Sequence, residues 1–202
     1  MDSDSIWQHI DEQRAILADM VDGIDSARWS TPSLCEGWTV RDVAAHLTHS
    51  HMSKPRMMLE ALRSGFRFNA MIHRVAVQDT RSPTQIAAAL RGMCGSRRRP
   101  PGTAECDPLM DVLVHGQDIA VPLGIDLPMP ADAAAAAARR LWGMRFPFNP
   151  QRRLRGVELI ATDTDFRVGN GRVVEAPIRD ILMLFAGRPS AISALAGSLS
   201  DR

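Results

Sequence analysis

The stretch that decides the fold is Gly37-Trp38-Thr39-Val40-Arg41-Asp42-Val43-Ala44-Ala45-His46-Leu47. Thr39 and Asp42 have the spacing of a capping box, in which the hydroxyl accepts from a first-turn amide and the carboxylate accepts from the backbone of the capping residue. Apolar residues recur behind them at a spacing of three and four. The stretch therefore predicts a helix that begins at residue 40, and we expect it to run to about residue 63 with a kink or break at Pro55.

The same helical spacing predicts further helices on both sides of this stretch. They cover residues 5–22, 83–95, 107–121 and 131–143. Residues 64–82 are basic and weakly patterned, so they predict no regular element.

The apolar period changes after Pro150 from that of a helix to the alternation of a strand. The alternation predicts three short strands, with a tight hairpin turn at Gly169-Asn170-Gly171 between the last two: residues 156–162, 165–168 and 172–175. A helix follows from Pro177 to Gly187.

These elements predict a mainly α fold class in two parts. Residues 1–148 form an up-down helical bundle. Residues 149–202 form a small α/β domain, a meander covered by one helix.

The composition of the 202 residues excludes several classes of protein. An apolar share of 45% is that of an ordinary globular chain, which excludes disorder. The 24 basic and 23 acidic residues nearly balance, whereas a nucleic-acid binder needs a net positive face, so we expect no nucleic-acid partner. Apolar runs such as Ala133 to Ala138 are far shorter than the roughly 20 residues that cross a bilayer, so we expect no membrane span.

The first residues and the cysteines indicate the compartment. Met1-Asp2-Ser3-Asp4-Ser5 is acidic and lacks the features of a secretory signal. The three cysteines, Cys35, Cys94 and Cys106, form no C-x-x-C pair and are typical of reduced thiols that pack as small hydrophobic side chains. We therefore expect a cytoplasmic protein, either a monomer or a homodimer.

The residues most suited to chemistry lie in Asp111-Val112-Leu113-Val114-His115-Gly116-Gln117-Asp118. At about 100 degrees per residue, Asp111, His115 and Asp118 fall within a stripe about 60 degrees wide on one helix face. A carboxylate and an imidazole four residues apart can ligate one metal ion. Two ligands do not make a site, so a third must come from another helix.

Three histidines on the helix predicted from residue 40 are candidates for this third ligand: His46, His49 and His51. We favour His46, because it flanks the apolar face of that helix and can point into a cleft of the bundle. On spacing alone, an exposed cluster of polar histidines is the competing interpretation.

Three parts of the chain together carry a family resemblance. They are Trp29-Ser30-Thr31-Pro32-Ser33-Leu34-Cys35-Glu36 with the opening stretch, the helix containing His115-Gly116-Gln117-Asp118, and Leu159-Ile160-Ala161-Thr162-Asp163-Thr164-Asp165-Phe166 with Asp180-Ile181-Leu182-Met183-Leu184-Phe185-Ala186-Gly187-Arg188. They resemble the mycothiol-dependent maleylpyruvate isomerase family of actinobacteria. An arginine-rich chain without tyrosine, in which Lys54 is the single lysine, agrees with such a high-GC source.

The resemblance implies a DinB-like helical bundle that holds a divalent ion, usually zinc, beside a small sterol-carrier-like α/β domain. Carried over by position, the ligands are His46, Asp111 and His115, and Asp118 completes the family's His-x-x-Asp. The family has glutamate where this chain has Asp111, so the carboxylate is one methylene shorter. Either the helix approaches more closely, a water bridges, Asp118 assists, or the site is weakened.

The implied cofactors are zinc and mycothiol. Three nitrogen and oxygen ligands leave a coordination position open, and a thiol that enters it loses its proton. The mycothiol sulfur then attacks an electrophilic small molecule, in a maleylpyruvate-type cis-trans isomerisation or a thiol S-transfer. We expect Asp118 and Arg188 to be catalytic and Arg145 and Arg179 to bind the anionic ligand, with Arg152 as a further candidate and surface ion pairs as the competing interpretation.

Two other functions fit the same residues. One is a non-catalytic module that binds a small apolar molecule or a partner, without metal because of Asp111. The other is a metal-dependent hydrolase on the same bundle, with Asp118 as the base.

Overall fold

The structure, a computed structural model, describes residues 1–100 and 102–188. Its α-helices are α1 (Ser3–Asp22), α2 (Val40–Thr48), α3 (Lys54–Arg63), α4 (Phe68–Val77), α5 (Pro83–Arg91), α6 (Asp107–Ala120), α7 (Ala131–Trp142), α8 (Pro150–Arg153) and α9 (Ile178–Phe185). Its strands are β1 (Val157–Ala161), β2 (Arg167–Gly169) and β3 (Arg172–Ala176). The mainly α fold class is confirmed; residues 189–202 of the predicted second domain lie outside the described residues.

Helix α2 is shorter than the sequence predicts. It ends at Thr48, a 3₁₀ turn covers His49–His51, and α3 starts anew at Lys54. Pro55 lies in the first turn of α3, where its missing N–H costs no helical hydrogen bond. The stretch predicted over 40–63 is therefore two helices, and the break expected at Pro55 lies just before that residue, because the proline begins the second helix.

Helix α4 lies in the segment for which the sequence predicts no element. Its cation Arg74 pairs with the carboxylate of Glu60 on α3, a side chain that is buried in spite of its charge. Helix α4 also packs against α2, and its buried side chains include Val75 and Ala76.

Residues Trp7–Leu127 form one compact unit, built around α2. Helix α2 packs against α4, α5 and α6. Its inward side chains Val40, Val43 and Ala44 are fully buried. Among the described helices none is both long and apolar enough to span a membrane.

The second compact unit comprises, among the described residues, Met1–Ile6 and residues 128–188. Helix α7 groups with the C-terminal elements in this unit, and the domain boundary at 148/149 stays a prediction. The grouping of α7 follows from packing: α7 lies against α9, and its buried alanines let the two helices approach closely.

The three strands form a sheet of order β2-β1-β3, and the predicted meander is wrong. Strand β1 pairs antiparallel with β2 and parallel with β3, so Gly169-Asn170-Gly171 crosses the start of β1 instead of closing a hairpin. The crossing requires glycine, because a Cβ atom on Gly171 would lie 2.3 Å from the carbonyl oxygen of Gly156. The positive φ of 117° at Gly171 imposes the same requirement.

The capping box at the start of α2 gives the first prediction. The Thr39 hydroxyl accepts from the Asp42 amide at 3.3 Å, and Asp42 Oδ2 accepts from the Thr39 amide at 2.9 Å. Thr39→Ala removes the first bond and should lower the free energy of unfolding by about 1–2 kcal/mol in urea titrations. Thr39→Ser, which keeps the hydroxyl, is the control, and an alanine variant as stable as the wild type would contradict this role.

Candidate metal centre

The loop before α2 is tied to α6, and this tie brings the functional side chains together. The backbone N–H of Leu34 donates to the carbonyl of Asp118 at 3.2 Å, and that of Ser33 donates to the carbonyl of Trp38 at 2.9 Å. Most of α6 is buried, and Asp111 and His115 are among its few partly exposed positions. These two side chains therefore lie where solvent reaches α6, an opening in its otherwise buried surface.

Three predicted ligands converge at this opening. Asp111 Oδ1 lies 3.5 Å from His46 Nε2 and 3.5 Å from His115 Nε2. The two imidazole rings meet edge to face, with centroids 4.9 Å apart. The structure thus selects His46 from the three candidate histidines, because neither His49 nor His51 joins this cluster among the described residues.

The donor set fits a zinc ion. Ligand atoms held about 2.0–2.2 Å from a tetrahedral zinc ion lie roughly 3.4 Å apart. Both separations from the Asp111 oxygen are 3.5 Å, and all three ligand atoms lie within 4.8 Å of one another. Two imidazoles and one carboxylate are also one of the ligand sets that catalytic zinc sites use.

Asp118 orients one of these ligands. Its carboxylate is fully buried, and its Oδ2 lies 2.8 Å from His115 Nδ1. The buried carboxylate accepts a hydrogen bond from Nδ1, so that Nε2, which faces Asp111, would be the nitrogen that binds an ion. This is the arrangement in which a carboxylate fixes the tautomer and ring orientation of a metal-binding histidine.

Two further features prepare the cluster. Trp38 is stacked on His115, with ring planes 12° apart, and meets His46 edge to face at 5.1 Å between centroids.

Burial would raise the pKa of Asp111, but the hydrogen bond from His46 and the charges of His46 and His115 outweigh it and hold that pKa below its usual value. Asp111 is therefore ionised, the form that binds a cation.

A second polar cluster lies beside the first. His49 Nε2 donates to Asp79 Oδ2 at 3.0 Å, and Arg81 binds both oxygens of the same carboxylate. Arg81 also donates to the Thr48 hydroxyl at 2.6 Å. The expectation of a solvated His49 is wrong, because its side chain is only 12% exposed.

The comparison with known families decides the assignment. The family model described as the mycothiol maleylpyruvate isomerase N-terminal domain matches residues 10–120, which include His46, Asp111, His115 and Asp118. The chain belongs to the mycothiol maleylpyruvate isomerase family.

Two solved structures have a fold similar to that of this protein. Two crystal structures of mycothiol-dependent maleylpyruvate isomerase, one of them a histidine-to-alanine mutant, match with TM-scores of 0.56 and 0.57. Each is 14% identical, and each match covers 93% of this chain and 90% of the other. At this identity the likeness shows the fold alone. No curated protein sequence matches the chain significantly.

The arginines predicted to bind the anionic ligand, Arg145 and Arg179, and the arginine predicted to be catalytic, Arg188, belong to the other compact unit. Arg145 is exposed, and Arg179 Nε lies 3.6 Å from its neighbour Asp180. Arg188 donates through Nη1 to the Ala186 carbonyl at 2.5 Å. Their roles toward a ligand stay predictions.

Sequence reasoning missed the residues that support the cluster. Trp38 lies in the opening stretch, but nothing in its spacing indicates contact with two histidines. Asp79 and Arg81 fall in the segment without a pattern, and they meet His49 only through tertiary packing. Asp118 was predicted as a catalytic group, whereas the structure buries it behind His115.

The burial of His49 leads to a prediction of how the stability of the protein depends on pH. Burial lowers the pKa of His49 to about 4, against the opposing effect of its hydrogen bond to Asp79. Between pH 6.5 and pH 4 the unfolded chain therefore binds more protons than the folded one, so stability falls as pH falls. The contribution of His49 to this loss is on the order of 2–3 kcal/mol.

Urea titrations across this pH range, with His49→Gln as the comparison, measure the effect. The variant cannot take up the proton, so its stability should fall less than that of the wild type. Parallel pH profiles for the two proteins would contradict the assignment.

Proposed function

We propose that this protein is a divalent-metal-dependent enzyme that uses mycothiol, as a maleylpyruvate-type cis-trans isomerase or as a thiol S-transferase. Membership of the family supports mycothiol chemistry. The observation that carries the proposal is the convergence of His46, Asp111 and His115 on one point, with His115 oriented by a buried carboxylate.

His46, Asp111 and His115 would hold the ion, and zinc is the best match to their donor atoms. With one position left open, a bound zinc ion lowers the pKa of an incoming thiol, so that a thiolate is available at neutral pH. The shorter Asp111 supports the proposal as well as a glutamate would, because its oxygen already lies 3.5 Å from both histidines.

The chain's own residues define the rest of the site. Asp118 keeps the proton of His115 on Nδ1, so that Nε2 stays available as a donor. Trp38, which is 8% exposed, covers one side of both histidines and limits the access of water. Asp118 thus acts through His115 as a positioning residue in this proposal, rather than as a base that touches the substrate.

The two reactions share their first step. Mycothiol would supply the nucleophile in both: addition of its sulfur to an electrophilic carbon–carbon double bond, with uptake of a proton from the solvent at the adjacent carbon, would turn that double bond into a single bond. In an isomerisation, rotation about the former double bond would be followed by loss of the same proton and of the thiolate; in a transfer the product would be released with the thiol attached. Arg188, Arg179 and Arg145 remain proposed carboxylate-binding residues on the chemistry of the guanidinium group.

The reaction belongs in a reducing compartment, which supports a cytoplasmic location, because a thiol cofactor is kept reduced there. The substrate is a small electrophile, and the proposal requires neither nucleic acid nor a membrane.

Metal content and thiol chemistry test the proposal together. Protein purified without an affinity tag should carry close to one zinc ion per chain, and His115→Ala should lose both the ion and the turnover of maleylpyruvate with mycothiol. His49→Gln is the matched control, because His49 lies outside the ligand set, and it should keep the metal. Mass spectrometry of the products separates isomerisation from transfer.

Two results would contradict the proposal. Wild-type protein that takes up none of zinc, nickel, iron or manganese after reconstitution would exclude the metal site. A hydrolysed product formed without any thiol would favour a metal-dependent hydrolase instead.

A further inference from the structure

A second set of ligand atoms lies on the other side of His115. Cys35, His115 and Asp118 each offer one ligand atom, and these atoms lie within 4.8 Å of one another. The set is distinct from the first, in which His46 and Asp111 accompany His115. His115 is the residue that the two sets share.

The position of Cys35 is fixed by its own loop. The Ser33 hydroxyl accepts from the Cys35 amide at 3.1 Å, and the Cys35 carbonyl accepts from the Trp38 amide at 3.0 Å. The neighbouring Leu34 amide donates to the Asp118 carbonyl, which ties this loop to α6. The backbone of Cys35 is therefore held next to α6, and its sulfur lies within 4.8 Å of the ligand atoms of His115 and Asp118.

The two nitrogen atoms of the His115 ring lie toward different ligand sets. Nε2 lies toward Asp111, whereas Nδ1 lies 2.8 Å from Asp118. The first set therefore offers nitrogen and oxygen only, while the second adds sulfur, the donor that soft metal ions prefer. Cys35 is also partly exposed, which gives an ion a path to the second set.

We propose that Cys35, His115 and Asp118 form an alternative binding site for thiophilic divalent ions such as cadmium, and that an ion bound there withdraws His115 from the first set. The loss of His115 from the first set rests on the proposed function, because it supposes that an ion binds to the first set. The binding of cadmium to Cys35, His115 and Asp118 does not rest on it. Coordination displaces the proton of the Cys35 thiol, which passes to the solvent, and moves the proton held between His115 and Asp118 from Nδ1 to Nε2, so that Nε2 can no longer bind an ion in the first set. A bound soft ion would thus act as an inhibitor at the centre of the site.

Cadmium titration of the metal-free protein tests the site, because a thiolate bound to cadmium gives an ultraviolet charge-transfer band. The wild type should develop a band that corresponds to one thiolate per chain. Cys35→Ser should abolish it, and Cys106→Ser, a matched change at another partly exposed cysteine, should leave it unchanged. His115→Ala should weaken cadmium binding by about tenfold or more, because a thiol alone binds less tightly.

A double variant tests the site even if the Cys35→Ser protein does not fold. With Cys94 and Cys106 both changed to serine, Cys35 is the one thiol left in the sequence, and the band should persist at full intensity. A band that survives in Cys35→Ser, a band that is lost in the double variant, or a cadmium affinity unchanged in His115→Ala would each overturn the site.

Competition links the two sets. Loading with one equivalent of zinc should lower the apparent cadmium affinity in the wild type, because zinc at the first set requires Nε2 of His115 without a proton, whereas cadmium at the second set requires the proton on Nε2. His46→Ala, which lacks the first set, should keep the cadmium band and lose this competition. Equal cadmium affinity with and without bound zinc would overturn the shared role of His115. A protein that lacks isomerase or transferase activity but shows the cadmium band would refute the proposed function and leave this site intact.

Discussion

The hydrogen bond between His115 Nδ1 and the buried carboxylate of Asp118 is the constraint on which the site depends. A carboxylate without solvent access needs a donor, and here an imidazole supplies it at 2.8 Å. The bond fixes the ring and its tautomer, which directs Nε2 at Asp111. The ligand geometry thus follows from satisfying a buried charge on the same helix, three residues away.

The surrounding elements position His115 and Asp118 relative to the other residues of the site. The capping box starts α2 at a defined residue, and the packing of α2 on α6 then carries His46 to within 3.5 Å of Asp111. Trp38, just before the cap, contacts both histidines. The backbone that sets the start of α2 therefore also positions Trp38 beside the two histidines. The loop that precedes it positions Cys35.

Sequence reasoning succeeded where the determinants are local. The capping box and the stripe on α6 are read from residues three and four apart, and the structure shows both. It failed where distant residues decide: α4 packs against α2 and pairs its Arg74 with Glu60, and β3 lies beside β1 because Gly171 can pass the carbonyl of Gly156. The burial of His49 is of the same kind, since its partner Asp79 lies thirty residues away.

The zinc affinity of Asp118→Asn shows whether the buried carboxylate prepares His115 to bind the ion. Asparagine keeps the shape of the side chain but removes the charge that holds the Nδ1 proton of His115. We predict that the dissociation constant, measured by competition with a chromophoric chelator, rises by about 10- to 100-fold while the thermal melting midpoint shows a folded protein. A folded variant that binds zinc as tightly as the wild type would contradict the account.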